Sequence, residues 1–331
     1  MSTSSRKQDH IELAFKSIVE NADNRFYYEP LLRAHPTEEI IPPTPIGDKF
    51  STLPIWVSSM TGGTEKAGLI NKRLAIACKE YGIGIGLGSC RIILEEDTYF
   101  EDFNLRPILG PNIPFYANLG IAQIEEINKN KNHSSVTSLI EALKADGLFI
   151  HINPLQEWMQ PEGDKIQISP LETIKEFIKH VQFPIFIKEV GQGIGPKSLR
   201  ALMELPILGI EFGAHGGTNF TLLETLRHSN IHNHGVELSK IGHSAFEMVD
   251  FLNLIYDENP SLFENKTIIV SGGIKSFLDG YYCIKKLKCN ALYAQASAFL
   301  KPALENEQQV MDFLKVQKQG LMAAYNYLTI K

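Results

Sequence analysis

The chain has 331 residues, 44% of them hydrophobic and 21% charged, an ordinary soluble composition with enough material for a core that needs no disulfide or metal staple. A formal net charge of -6, a pI of about 6.0 and the lack of a basic block argue against nucleic acid or an anionic membrane surface as the main partner. Cys78, Cys90, Cys283 and Cys289 form no CxxC pair, and the N-terminus shows no apolar signal region, so a reducing cytoplasm is expected. No run approaches the length of a membrane span.

In chain order, the sequence opens with a helix over 10–21 and a Pro-rich connection ending in IIPPTPIGDKF. Residues 1–50 are expected to form an arm packed on the main domain, 51–331. Eight short apolar runs then follow: LPIWVSS (53–59), IGIGLG (83–88), PFYANL (114–119), GLFIHI (147–152), PIFIKEV (184–190), ILGIEF (207–212), TIIVS (267–271) and ALYAQ (291–295). Most are continuous rather than alternating, the pattern of strands buried on both faces. Helical patterns fall between them at 66–80, 136–145, 171–180, 196–204, 239–255, 276–287 and 304–326. Eight strands with intervening helices favour an α/β fold of the closed (β/α)8 TIM-barrel kind over an open doubly wound sheet.

A barrel carries its chemistry at the C-terminal ends of its strands. Polar or glycine-rich groups do follow the runs: SSMTGG (58–63), GSCR (88–91), Asn118, HINPLQE (151–157), Lys188 with EVGQGIG, GAHGGTNF (213–220), SGGI (271–274) and QAS (295–297). HINPLQE closes an apolar run and is expected to open a loop. Each group has a plain structural reading. Glycines permit turns, Lys188 can snorkel, and a lone His151 is more often packed than catalytic. The argument is that all eight ends meet at one mouth. SGGI and QAS, on adjacent last strands, suit a phosphate cradle of backbone N–H groups, to which Gly217 and Thr218 can add donors. Lys188, midway round the barrel, suits a cofactor ring. A planar ring that carries a phosphate points to FMN.

In these motifs the sequence resembles the FMN-dependent, type 2 isopentenyl-diphosphate isomerases. The matching stretches run in order: RKQDHI (6–11), SSMTGG, GSCR, Asn118, HINPLQE, KEVGQGIG (188–195), GGTNF (216–220) and SGGI. The resemblance implies a barrel that binds reduced FMN, Mg²⁺ and isopentenyl diphosphate, converts the latter reversibly to dimethylallyl diphosphate, and uses NADPH to reduce the flavin without net consumption. It implies FMN contacts from Ser59, Met60, Thr61, Ser89, Asn118, Lys188 and Thr218, and a phosphate site at Gly272, Gly273, Ala296 and Ser297. Arg6, Lys7, Arg91, His151, Asn153 and Gln156 would contact substrate, and Glu157 would hold Mg²⁺. A homo-oligomer, tetramer or octamer, is implied as well. Three departures stand out: Cys90 replaces the usual Gln, Gly213 stands where a serine is expected, and KIGHS (240–244) replaces WGIPT.

The chemistry fits these residue types. A diphosphate excluded from water needs cations, and Arg offers it bidentate donors. Mg²⁺ prefers few protein ligands beside phosphates and water, so one Glu suffices. Protonating an unactivated alkene calls for an acid and a base in a dry site, a role that reduced flavin can take. Two other readings remain open at this level. One is an FMN barrel oxidoreductase that consumes NAD(P)H. The other is a flavin-binding barrel without catalysis.

Overall fold

The computed structural model describes residues 3–59, 62–160, 162–227 and 233–331, with the side chains of residues 3–6, 233 and 234 outside that description. Eight parallel strands close into a barrel: β1 (Ile55–Val57), β2 (Gly84–Gly86), β3 (Phe115–Gly120), β4 (Gly147–Ile152), β5 (Ile185–Glu189), β6 (Gly209–Glu211), β7 (Thr267–Val270) and β8 (Ala291–Gln295). They neighbour one another in chain order, and β8 pairs with β1. All eight expected strands are present, and helices cover the outside.

The continuous apolar runs divide by pleat into two cores. Trp56, Tyr116, Phe149, Phe186, Ile269, Leu292 and Ala294 point inward and fill the barrel. Their neighbours Ile55, Val57, Phe115, Leu148, Ile150, Ile187, Ile210 and Val270 point outward onto the helices. This is why the runs do not alternate in polarity: both faces are buried. Phe149 stacks on Phe186 with ring centroids 4.9 Å apart, and Tyr116 meets Phe186 edge-on at 5.3 Å. A Cβ at Gly84 or Gly209 would strike the Trp56 or Phe186 ring, so these strands stay narrow where the rings are wide.

Ile46 joins the inner cluster from a hairpin, Thr44–Ile46 with Lys49–Ser51, that closes the N-terminal end of the barrel. Thr267 Oγ1 and Asn290 Nδ2 both donate to the Pro45 carbonyl and fix it there, at 3.1 and 2.9 Å. Upstream, Phe26–Tyr28 pairs antiparallel with Leu328–Ile330 and ties the two chain ends together.

The helical reading needs corrections. The first helix is Thr3–Leu13, extended by a 3₁₀ turn at Ala14–Lys16, rather than 10–21. Ile11, Phe15, Ile18 and Val19 are exposed, and without a buried face a short helix has little to prolong it. The stretch read as a helix over 239–255 is helical only from Ala245, in Ala245–Glu258, and Ser239 ends a separate helix, Asn233–Ser239. Ser244 and Glu247 form a capping box that starts the second. Helices Ile121–Asn130, Phe220–Arg227 and Ser297–Glu305 went unread in the sequence. HINPLQE opens a helix, Pro154–Met159, rather than a loop; Pro154 suits a first helical position because it has no N–H to leave unpaired.

Candidate active site

A cavity of about 790 Å³ opens at the C-terminal ends of β1, β5, β6, β7 and β8. One end is a cradle built from the last two strands. Gly272 and Gly273 take left-handed φ values of 86° and 71°, and the helix Ser297–Glu305 begins at Ala296 with no side-chain cap. Its first N–H groups therefore lack the side-chain acceptor that usually serves a helix start. Gly216 approaches so closely that a Cβ there would lie 3.2 Å from the Gly273 Cα. Gly217 and Thr218 line the same end. Close backbone, an uncapped helix start and small residues fit a phosphate.

Lys188 is buried at the end of β5, and its Nζ donates to the Glu189 carbonyl at 2.9 Å. His151 on β4 is its ladder neighbour. The His151 Nδ1–H donates to Asn118 Oδ1 at 2.7 Å, and Asn118 Nδ2 donates to Ser59 Oγ at 3.0 Å. Removal from water, and then the Lys188 charge, push the His151 pKa down to about 3. The imidazole is thus neutral, with Nε2 as an acceptor. Ser89 is exposed, and its hydroxyl accepts from the Arg91 N–H at 3.5 Å. Met60 and Thr61 lie outside the described residues.

Three of the HINPLQE side chains form one hydrogen-bonded group. Asn153 Nδ2 donates to Glu157 Oε1 at 2.8 Å and to Gln156 Oε1 at 3.2 Å. Its own Oδ1 is buried without a partner among the described residues. Gln156 Nε2 reaches Glu224 Oε1 at 3.3 Å, and that buried carboxylate also holds Arg227 at 3.0 Å. Glu157 Oε2 accepts the Asp164 N–H at 2.8 Å. Asp164 Oδ2 in turn accepts from Arg91 Nη1 at 2.7 Å and Gln123 Nε2 at 3.0 Å. Helix geometry explains the grouping: Asn153, Gln156 and Glu157 share one face at i, i+3 and i+4.

The fold therefore brings Arg91, Asn153, Gln156 and Glu157 together, and joins His151, Asn118 and Ser59 beside Lys188. Lys7 is exposed and makes no ion pair with a described residue, and the Arg6 side chain is outside the description. Among the described residues no group of three His, Cys, Asp or Glu side chains forms a metal site. Glu157 fits Mg²⁺ only where ligand oxygens complete the shell.

The three departures have structural accounts. Cys90 is fully buried, its N–H bonds the Asn118 carbonyl at 2.8 Å, and burial pushes its thiol up to about 12. At Gly213 φ is 52°, and a Cβ would run into the Glu189 carbonyl, so this backbone excludes serine. Ser271 supplies a hydroxyl nearby, accepting the Gly213 N–H at 2.9 Å. In KIGHS, the His243 carbonyl accepts from the His215 N–H at 2.9 Å, and Ser244 caps a helix. Sequence reasoning missed Glu211, Gln123 and Asp164. For Glu211 there was a signal: an acid inside the apolar run ILGIEF. For Asp164 there was none.

No family model matches the chain. Among curated proteins, the isopentenyl-diphosphate delta-isomerase of Rickettsia peacockii (strain Rustic) is 32% identical over 316 residues, covering 94% of this chain and 89% of that protein. The enzyme of the same name from Rickettsia typhi (strain ATCC VR-144 / Wilmington) is 34% identical over 286 residues, 85% and 81% of the two chains. Among solved structures, flavocytochrome b2 with sulfite bound superposes with a TM-score of 0.61 at 13% identity, covering 90% of this chain and 71% of that one. A mandelate oxidase with a monooxide FMN adduct gives 0.55 at 14% identity, covering 93% and 88%. Both carry the same barrel fold.

Proposed function

The chain belongs to the isopentenyl-diphosphate delta-isomerase family, and on that premise we propose that its barrel mouth binds FMN beside Mg²⁺ and isopentenyl diphosphate and interconverts the latter with dimethylallyl diphosphate. The observation that carries this reading is the hydrogen-bonded group of Asn153, Gln156 and Glu157 with Arg91, set at the same mouth as Lys188 and the glycine cradle.

The residues fit both groups. Gly272, Gly273, Ala296 and Ser297 would hold the FMN phosphate, with Thr218 at the same end. Ser59, Asn118 and Lys188 would face the ring, with Met60, Thr61 and Ser89 as further contacts. When bound, reduced FMN would supply acid–base chemistry at ring nitrogen N5, with NADPH as its reductant. Lys188 would stabilise the negative charge of the reduced ring. Glu157 would hold Mg²⁺ against the diphosphate, opposite the cations of Arg91, Arg6 and Lys7. Neutral His151 and Asn153 would orient the substrate by hydrogen bonds without burying further charge. Gln156 would lie by the hydrocarbon end.

The site test is an anaerobic assay of isopentenyl diphosphate with FMN, Mg²⁺ and NADPH. Many turnovers per flavin reduction are expected. One NADPH consumed per product would make the protein an oxidoreductase, and no product would leave a flavin-binding barrel. We also read the protein as a cytoplasmic homo-oligomer, a tetramer or octamer. Exposed Tyr28, Leu31 and Leu32 support self-association, and light scattering tests it.

A further inference from the structure

We propose that Glu211 recognises the hydroxylated chain that links ring and phosphate in the cofactor. This deepens the flavin reading above and rests on it. Glu211 is fully buried at the end of β6. Its Oε1 accepts from Ser58 Oγ, whereas Oε2 has no hydrogen-bond partner among the described residues. Both residues line the main cavity. A buried carboxyl oxygen left without a donor is costly, and no described residue donates to it. Lys188 does not fill the role: its Nζ donates to the Glu189 carbonyl and makes no hydrogen bond to Glu211 Oε2. The missing donor therefore belongs to a ligand.

The barrel topology says which part of the ligand. β6 lies between β5 and β7 in the ring of strands. Glu211 stands level with Lys188 in the ladder. The cation for the ring is on β5, and the phosphate cradle is on β7 and β8. A ligand that reaches from one to the other crosses β6. In FMN the crossing segment is an uncharged polyol, whose hydroxyl groups are donors. Buried Ser271, at the end of β7, lines the same stretch of cavity. A carboxylate oxygen that accepts a hydrogen bond from a hydroxyl makes a short, strong one. Ser58 engages one carboxyl oxygen of Glu211 and leaves the other for a second donor.

The test compares three flavins on the full-length apoprotein: FMN, riboflavin without the phosphate, and lumiflavin without the polyol. Dissociation constants come from flavin fluorescence on wild type, Glu211→Met and Ser58→Ala. Glu211→Met should weaken FMN and riboflavin by about tenfold or more while lumiflavin stays within about twofold. The urea midpoint of the apoprotein shows that the variant folds, a check needed since the change removes the unpartnered oxygen but also the acceptor of Ser58. Ser58→Ala should show the same selectivity with a smaller loss, and it carries the test if Glu211→Met does not fold. Unchanged FMN and riboflavin binding in the folded variants overturns the proposal. So does a loss of lumiflavin as large as that of riboflavin, which would put Glu211 at the ring. Wild-type protein that binds no FMN would sink the flavin reading itself, a failure distinct from these.

Discussion

Lys188 and His151 show how one buried charge sets a second side chain. They are neighbours across β4 and β5, and burial, with the Lys188 ammonium as the second cause, keeps His151 neutral. Lys188→Ala removes the cation beside the proposed ring. FMN should bind more weakly, and its reduction midpoint should become more negative by roughly tens of millivolts. Wild-type values for both would take Lys188 away from the flavin. For His151, the folded pKa of about 3 lies below the ordinary 6.5. The unfolded chain then binds this proton at a pH where the folded chain does not, so folding stability falls as pH drops through that window. His151→Gln should flatten the stability profile there, measured by urea denaturation at a series of pH values. An unaltered slope would mean that His151 titrates normally. Glu157 differs again, because two hydrogen bonds, from Asn153 and the Asp164 N–H, already hold it. Glu157→Gln should leave folding within about 1 kcal/mol of wild type and raise the Mg²⁺ concentration needed for activity. An unchanged Mg²⁺ titration with unchanged turnover would remove it from the mechanism.

At the level of elements, the segment 162–169, ahead of the helix Pro170–Phe177, packs against the HINPLQE group through Asp164. Asp164 within it engages Arg91 through its side chain and Glu157 through its N–H. The two groups expected to hold opposite sides of a metal diphosphate are thus tied to one residue. The Arg91–Asp164 pair is well exposed, and such pairs are worth about 1 kcal/mol at most. Asp164→Asn should therefore lower the KM for isopentenyl diphosphate by up to about fivefold. A raised KM would mean that Asp164 orients Arg91 for the substrate instead of competing with it. The sixth loop obeys a different constraint. Gly213 sits against the Glu189 carbonyl, and Gln192 Nε2 donates to the Leu238 and Ile241 carbonyls at 3.0 and 2.7 Å. These contacts fix the segment that includes KIGHS, which explains why a different sequence still completes the barrel mouth.

Across the whole molecule, two nested cores hold the mouth rigid. The inner aromatic layer of Trp56, Tyr116, Phe149 and Phe186 forms its floor, and the hairpin carrying Ile46 seals the far end. The arm is less uniform. Phe26–Tyr28 is anchored by strand pairing, but the helix Thr3–Leu13 shows a largely exposed surface from residue 7 onward. If that helix folds over the mouth, as the RK motif implies, deletion of residues 1–9 should raise the KM for isopentenyl diphosphate and leave FMN affinity unchanged. Measuring both on the same protein decides it, and an unchanged KM would rule the arm out of the site.

The sequence by itself determined the barrel and its mouth. Strands buried on both faces must be continuously apolar, and that demand is written locally in eight short runs. The change to polar residues at each run's end is equally local, and so HINPLQE, Lys188 and SGGI were legible. The helix inside HINPLQE was harder to see, because a proline at its start reads equally well as a turn. What tertiary structure alone decided is pairing at a distance. Arg91 meets Asp164 across 73 positions, and Ser58 meets Glu211 across 153. Composition can show that a carboxyl group is buried in ILGIEF. Only the closed ring of strands shows that one of its oxygens is met by a serine and the other has no partner among the described residues.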